Sequence, residues 1–330
     1  MFDPTVLLIL VVVLALAFDF SNGWHDSANA IATVVSTHVL SPGRAVFMAA
    51  VLNIAGAFMS TAVAKMIGGG IVEASMIQET TVIAALSGAI AWNLFTLILG
   101  LPTSSSHALI GGIIGGALAQ SGMAAVKLSG LQKVLEAMLL SPLVGFVLGY
   151  LLILVTYRVM FRVPRGAANR GFRRLQLISS GFMAFSHGAN DAQKAMGIIT
   201  LALVSTGAIS TVEVPIWVIL ACAVAMGLGT LAGGWRIIRT LGMRIVKLEP
   251  VHGFAAETSA ALILLGTAHF GMPVSTTHTI TTSIMGVGSA KRLSAVRWGV
   301  TMRIVYAWLF TLPGAGLVAY GVTLAFQALR

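Results

Sequence analysis

Long apolar runs dominate the chain, and a few short polar motifs interrupt them. The nearly unbroken runs are residues 1–18, 45–66, 81–101, 135–160, 216–231 and 300–326. Each is close to the length of about 20 residues that a transmembrane helix needs. Together with shorter apolar segments, they predict an all-α membrane protein with about 10–12 membrane elements. The first run is predicted to be a retained span rather than a signal peptide, because its one preceding charge is Asp3 and a polar motif follows it.

The charge composition agrees with a chain that faces hydrocarbon. Of 330 residues, 57% are hydrophobic and only 9% are charged, whereas soluble domains carry about 25% charged residues. The net charge of +10 does not predict a nucleic-acid partner, because Lys and Arg of membrane proteins collect in cytoplasmic loops. The densest basic cluster comprises Arg158, Arg162, Arg165, Arg170, Arg173 and Arg174. The single cysteine, Cys222, can form no intrachain disulfide and, alone, no metal cluster.

The chain contains two copies of one unit. The segment FSNGWHDSANA from Phe20 aligns with FSHGANDAQKA from Phe185, at an offset of 165. Farther along, LGLPTSSSHALIGGIIG from Leu99 aligns with FGMPVSTTHTITTSIMG from Phe270, at an offset of 171. The predicted units are a first repeat, 1–157, a short basic cytoplasmic linker, 158–174, and a second repeat, 175–330. Two membrane halves are typical of secondary transporters, and an odd number of spans in each half would invert the second.

Ionisable residues at membrane depth are costly and are therefore functional candidates. Asp26 and Asp191 occupy matching positions in the two copies, with Asn29 and Asn190 close by in sequence. The glycine three residues before each aspartate is expected to let the helix unwind there. Unwound backbone carbonyls, together with carboxylate and amide oxygens, would form a site for a hard cation such as Na⁺. The alternative is that these groups only hydrogen-bond to one another between helices.

Four further ionisable residues bear on the coupling ion. His25 stands where the second copy has an asparagine, and Lys194 stands where the first copy has Asn29. A neutral amide oxygen can ligate Na⁺ and a protonated lysine cannot, while histidine can carry a proton near neutral pH. Both differences favour H⁺ over a symmetric pair of Na⁺ sites, although His25 has the alternative of a neutral hydrogen-bonding role. Asp19 and Glu257 have no matching acid in the other half and are secondary candidates for binding a proton or cation.

Two hydroxyl-rich motifs predict an anion site. Their hydroxyls belong to Ser104, Ser105, Ser106, Ser275, Thr276 and Thr277. Each motif follows a proline, which fits the first turn of a helix, and the free N–H groups of a helix N-terminus favour an anion. Two such ends facing each other would hold phosphate or sulfate from both sides. The alternatives are that the hydroxyls are ordinary N-caps and that His107 and His278 hold the hairpins structurally.

These motifs resemble those of the inorganic phosphate transporter (PiT) family. That family has an aspartate motif of the GANDxxNA type and a PxSSTH-like hairpin motif in each half. Here they read NGWHDSANA, SHGANDAQKA, GLPTSSSH and GMPVSTTH. The HD form in the first half and the NDxQK form in the second resemble the bacterial Pit-like branch. The resemblance covers essentially the whole chain.

The resemblance implies two inverted repeats with discontinuous helices and re-entrant hairpins, and phosphate held between the hairpins by the six hydroxyls. The driving cation would use Asp26, Asn29, Asn190 and Asp191. The family has H⁺-coupled and Na⁺-coupled members, and bacterial members can carry phosphate as a neutral metal–phosphate complex. We therefore expect a secondary active transporter of the cell inner (plasma) membrane that imports inorganic phosphate by cation symport, with H⁺ favoured. No cofactor is expected, and the sequence leaves a homodimer open.

Three alternatives remain. A branch of the same fold carries sulfate, which would leave a carboxylate poised for the phosphate hydroxyl unpaired. An intramembrane metal-dependent hydrolase would pair Ser106 with His107. Its metal would be bound by His25, Asp26, His187 and Asp191. Against the hydrolase, adjacent helical side chains point about 100° apart, and no G-x-S-x-G elbow is present. A passive channel would show flux without a cation dependence.

Overall fold

A computed structural model describes residues 3–329, and these residues form an all-α fold. Within that range, the one β-bridge joins Val72 to Val126. The helices are α1 Pro4–Ser36, α2 Pro42–Ala57, α3 Ala62–Gly69, α4 Glu79–Leu99, α5 Ser105–Ser121, α6 Leu128–Val159, α7 Arg165–Ser205, α8 Ile216–Ala232, α9 Trp235–Arg239, α10 Pro250–His269, α11 Thr276–Lys291 and α12 Trp298–Ala328. A π-helical turn, Thr240–Arg244, continues α9. The predicted fold class is confirmed.

Fewer helices are full membrane spans than the twelve helical elements suggest. In the described range, six helices (α1, α4, α5, α6, α10 and α12) are long and apolar enough to cross a bilayer. The number is eight if each of two bent helix pairs counts as one span. Helix α11 has only 16 residues. Helix α7 has 41 residues, but its many polar side chains keep it out of this set. Its central turns are buried against neighbouring helices rather than exposed to lipid, so apolarity is not required of them.

The elements follow the same order in both halves of the chain. Each half has a long helix, a bent helix pair, one span, a helix that follows the hydroxyl-rich motif and a long final helix. The helices that follow the hydroxyl-rich motifs, α5 and α11, are called the hairpin helices, or hairpins, below. Helices α1 and α7, which begin the two halves, run antiparallel. Thr37 donates to the Gln176 side chain at 2.8 Å, and Arg173 donates to the carbonyl of His38 at 2.7 Å. An antiparallel course is what inverted repeats predict, and the inversion and the repeat boundaries stay predictions.

The basic linker expected at 158–174 is largely helical. Helix α6 ends at Val159, and α7 begins at Arg165. Arginines 165, 170, 173 and 174 therefore lie on the first turns of α7, where all four are exposed. The contact between Arg173 and His38 brings this basic helical segment beside the C-terminal end of α1.

Helices α1 and α7 are continuous, so the expected unwinding at Gly23 and Gly188 is wrong. Both glycines serve close helix packing instead. A Cβ atom on Gly23 would lie 2.3 Å from the carbonyl oxygen of Met226 in α8, and one on Gly188 would lie 2.2 Å from that of Asn53 in α2. Each long helix thus packs backbone to backbone against the bent pair of the other half. The aspartate motifs contain small residues because such close contact between helix backbones leaves no room for larger ones.

The breaks occur in the bent pairs. Helices α2 and α3 meet at 72°, and α8 meets the α9 segment at 61°. The Gln193 side chain, on α7, accepts hydrogen bonds from the backbone N–H groups of Val63 and Ala64 at 2.8 and 3.2 Å. On the other side, Ser27 Oγ, on α1, accepts one from Gly234 N at 2.7 Å. The aspartate-motif helix of each half therefore satisfies backbone donors freed by the break in the other half.

The hairpin helices also cross between the halves. Helix α5 packs on α12, and α11 packs on α6. Glycines permit this contact too, since a Cβ atom on Gly115 would lie 2.1 Å from the Gly316 carbonyl oxygen, and one on Gly286 would lie 2.1 Å from that of Phe146. The two hairpins are thereby held against opposite halves and point toward the centre.

Candidate functional site

Serine side chains begin both hairpin helices. Ser104 Oγ accepts a hydrogen bond from His107 N at 3.2 Å, and Ser275 Oγ accepts one from His278 N at 3.1 Å. Both serines are therefore N-caps. The proline of each motif lies two residues before the cap rather than in the first helical turn. The caps occupy the N–H groups of His107 and His278, and the earlier N–H groups in the first turns of α5 and α11 can donate to an anion.

The two hairpins meet through aromatic rings. The rings of His107 and His278 pack edge to face with their centroids 4.7 Å apart. The His278 ring also stacks on Trp308, with the ring centroids 3.8 Å apart, and Trp308 Nε1 donates to the carbonyl of Pro102 at 2.8 Å. These contacts give both histidines a packing role between the hairpins.

Asp26 is the point on which both hairpins converge. Its carboxylate accepts hydrogen bonds from Ser105 Oγ, on α5, at 3.0 Å and from Thr277 Oγ1, on α11, at 3.2 Å. Nδ1 of His25 lies 2.6 Å from the same carboxylate. On its other side, Nε2 of His25 lies 3.2 Å from Thr96 Oγ1. The structure thus joins the predicted cation residues to the predicted phosphate hydroxyls in one cluster.

Asp191 holds the matching position in the second half. Its Oδ2 lies 2.8 Å from Lys194 Nζ and 3.4 Å from His187 Nε2, and it accepts a hydrogen bond from Thr276 Oγ1 at 3.3 Å. Lys194 also donates to Ser105 Oγ at 3.0 Å. The ammonium group therefore bridges Asp191 and the first turn of α5.

Asn29 and Lys194 act as counterparts across the centre. Asn29 lies in the first half, and its Nδ2 donates to two hydroxyls of the second half, Thr276 Oγ1 at 3.2 Å and Thr277 Oγ1 at 2.9 Å. Lys194, in the second half, reaches Ser105, in the first. Asn29 and Lys194 match in the sequence repeat, and so do Ser105 and Thr276. The site therefore repeats the internal duplication of the chain.

Besides the caps Ser104 and Ser275, two predicted residues stand apart from this cluster. Asn190 is fully buried, and neither of its amide atoms has a hydrogen-bond partner. Ser106 Oγ donates to the carbonyl of Val274 in the facing hairpin at 3.1 Å. The unwound carbonyls expected as cation ligands are lacking, since α1 and α7 are continuous. Ligand atoms of Asp26, His187 and Asp191 nevertheless lie within 4.8 Å of one another, close enough to share a cation.

Water has no access to the cluster in this conformation. Asp26 and the three hydroxyls that contact the aspartates, those of Ser105, Thr276 and Thr277, are each 1% exposed, and Lys194 is fully buried. The structure is therefore an occluded conformation, in which a ligand can enter or leave only after helices separate.

A second polar cluster surrounds Glu257 and was not predicted as such. Its carboxylate accepts hydrogen bonds from Thr33 Oγ1 at 2.5 Å, from Gln176 Nε2 at 3.1 Å and from the Ser179 hydroxyl. The signal for Thr33 was present in the sequence, since it lies one helical turn beyond Asn29 on the polar face of α1. Gln176 and Ser179 gave no comparable signal.

Residues 22–319 match the Phosphate transporter family. The chain belongs to that family. A protein of Rhizobium meliloti named "Probable low-affinity inorganic phosphate transporter" is 49% identical over 315 residues, which cover 95% of this chain and 94% of the relative. A Bacillus subtilis protein of the same name is 47% identical over 321 residues, 96% of each chain. A solved structure described as "The sodium-dependent phosphate transporter" aligns with a TM-score of 0.89 and 26% identity, covering 98% of this chain and 100% of that one.

Family membership makes the chain a multi-pass membrane transporter rather than an enzyme. The hydrolase alternative is therefore wrong. The geometry agrees, because Ser106 donates to a backbone carbonyl and the ring of His107 packs on His278. The resemblance drawn from the four motifs is confirmed.

Proposed function

We propose that this family member imports inorganic phosphate across the cell inner (plasma) membrane by symport with H⁺. The observation that carries the proposal is the position of Lys194, whose ammonium contacts both Asp191 and Ser105. It places a fixed positive charge where the matching residue of the first half, Asn29, offers a neutral amide. A fixed ammonium repels a Na⁺ ion at that position and attracts a phosphate oxygen.

Phosphate would bind between the first turns of α5 and α11. In the structure, each of three hydroxyls donates to the carboxylate of Asp26 or Asp191: those of Ser105, Thr276 and Thr277. The same hydroxyls accept hydrogen bonds, Ser105 from Lys194 and the two threonines from Asn29. When the anion enters, these hydroxyls rotate toward it and donate to its oxygens, together with the free backbone N–H groups in the first turns of α5 and α11. Within the predicted set, Ser104 and Ser275 act as caps, and Ser106 holds the hairpins together.

Asp26 favours phosphate over sulfate. Phosphate retains a P–O–H group near neutral pH, and this hydroxyl can donate to the Asp26 carboxylate. Sulfate is fully ionised, so it would leave the carboxylate unpaired and repelled by the anion. A site that hydrogen-bonds one substrate group discriminates strongly against an analogue that lacks it.

Charge balance explains why a proton would accompany the anion. Asp26 and Asp191 contribute two negative charges in the buried cluster, and Lys194 contributes one positive charge. Adding an anion to this set is unfavourable in a low-dielectric interior. A proton taken up with phosphate, for which the His25–Asp26 pair is one acceptor, offsets that charge.

Labelled phosphate uptake into proteoliposomes tests the proposal, with an inward H⁺ gradient and an inward Na⁺ gradient imposed separately. We expect accumulation with the H⁺ gradient alone and little competition from excess sulfate. The matched variant is Lys194→Asn, which installs the residue that Asn29 provides in the first half, and it should gain a response to Na⁺. Uptake driven by Na⁺ in the unmodified protein would overturn H⁺ coupling, and strong sulfate competition would overturn the anion assignment. A chelator of divalent cations distinguishes free phosphate from a metal–phosphate complex.

A further inference from the structure

One of the buried carboxylates differs from the rest. Within the described range, the buried acids are Asp19, Asp26, Asp191 and Glu257. Asp26 and Glu257 each contact three side chains, and Asp191 contacts three including an ammonium. Asp19 is fully buried, yet neither of its oxygens has a hydrogen-bond partner.

An ionised carboxylate in this situation is strongly disfavoured. Burial removes its hydration, and unpaired charges at membrane depth are costly. The amide of Asn22, one helical turn along α1, interacts with Asp19 but does not reach hydrogen-bonding geometry. In this conformation the negative charge of Asp19 must therefore be neutralised, either by a proton on the carboxylate or by a bound cation.

The surroundings of Asp19 connect it to the phosphate cluster. Asp19 lies two helical turns before Asp26 on α1, about 10 Å along the axis. The other titratable groups that interact with it are Asp191 and Lys194 on α7 and Cys222 on α8. A change of charge at Asp19 is therefore felt by the Asp191–Lys194 pair, which contacts the first turn of α5.

We propose that Asp19 is a proton-binding site, separate from the phosphate cluster, that takes up one H⁺ for each phosphate carried. The inference rests on the proposed function and deepens it by naming one group that carries the coupling ion. A proton fits better than Na⁺, because a metal ion needs several oxygen ligands around it. The Asn22 amide acts on the Asp19 carboxylate as an N–H donor rather than as an oxygen ligand, and the nearby ammonium of Lys194 repels a second fixed cation.

The position of Asp19 suits loading from outside. The C-terminal end of α1 contacts the basic first turns of α7, which we place on the cytoplasmic side because Lys and Arg favour that side. Asp19 then lies between the phosphate cluster and the outer surface. An entering proton would meet Asp19 before it reached Asp26. The second half has Ala184 at the position that matches Asp19, so the site is confined to the first half.

The test compares two activities of Asp19→Asn in proteoliposomes. Phosphate–phosphate exchange without a gradient reports binding and the conformational change. Net uptake under an imposed pH gradient, with a trapped pH dye, reports protons carried per phosphate. The control is Glu136→Gln, which neutralises an exposed carboxylate on α6. Asp19→Ala, which copies the residue of the second half, is the second variant should the amide not be tolerated.

We expect the Asp19 variants to keep exchange but to carry one proton fewer per phosphate. Steady-state accumulation should then fall about tenfold per unit of imposed pH gradient, since one proton crossing one pH unit supplies 1.4 kcal/mol, a factor of about ten. Unchanged proton stoichiometry in either variant would overturn the inference. Loss of exchange in a variant that inserts and melts like the unmodified protein would also overturn it, because Asp19 would then belong to the phosphate site. Absence of exchange in the unmodified protein would instead overturn the proposed function, and the inference with it.

Discussion

Replacing Lys194 by methionine tests whether its ion pair with Asp191 holds the centre of the protein together. Methionine keeps much of the length of the side chain and removes the charge. Breaking a buried pair by removing one partner costs about 3–5 kcal/mol, because the other charge is left uncompensated. We expect the lower value, about 3 kcal/mol, because Asp191 keeps its contacts with His187 and Thr276.

The double variant Lys194→Met/Asp191→Asn separates the ion pair from simple packing. Neutralising Asp191 removes the uncompensated charge, so most of the lost stability should return. The measurement is the free energy of unfolding in mixed micelles with increasing SDS, combined as a double-mutant cycle. We expect a coupling energy of at least about 2 kcal/mol, well above the additivity limit of about 0.5 kcal/mol. If the stability losses of the two single variants add up to that of the double variant within about 0.5 kcal/mol, the assigned pairing is refuted.

Three further predictions concern transport and packing. Asp26→Asn should abolish gradient-driven phosphate uptake while the protein still inserts, and normal uptake would contradict its role in coupling. Ser105→Ala and Thr276→Ala should each weaken phosphate binding about fivefold, the loss expected for a hydrogen bond of about 1 kcal/mol, and an unchanged apparent affinity would mean that these hydroxyls only stabilise the hairpins. Gly23→Ala should lower stability by about 1–3 kcal/mol through overpacking, measured by thermal unfolding in detergent. Gly266→Ala is its control, since a Cβ atom there meets nothing within 4 Å.

The sequence was sufficient to predict most of the side chains that meet in the central cluster, although Thr96 was missed. Asp26 and Asp191 were identified by their matching positions in apolar segments, and Ser105, Thr276 and Thr277 by their place after a proline. Internal duplication made these predictions possible, because a polar motif that occurs twice at nearly constant spacing is seldom accidental. Those of the predicted cation and phosphate residues that come together nevertheless form one cluster and not two, which the linear order of the motifs could not show.

Contacts between helices were beyond the reach of the sequence. Gly23 was expected to unwind α1, because glycine suits a helix break and a close helix contact equally well, and only the facing carbonyl of Met226 distinguishes the two. The donors around Glu257 come from α1 and α7, and their convergence depends on the relative register of those helices. The isolation of Asp19 likewise became visible only once each neighbouring side chain had been placed.

The packing of α5 on α12 has a consequence for biosynthesis. Helix α5 ends at Ser121, and α12 begins at Trp298, so about 180 residues must be translated before the two can meet. At about 5–20 residues per second, that interval lasts roughly 10–35 s. During it, Ser105 in the first turn of α5 can already meet Asp26 of α1. The face of α5 that packs on α12 must meanwhile be covered by the insertion machinery or by the earlier helices. Substitutions in α12, for example of Trp308, should therefore destabilise the intermediate in which α12 has not yet packed on α5. They should lower the yield of inserted protein before they affect transport.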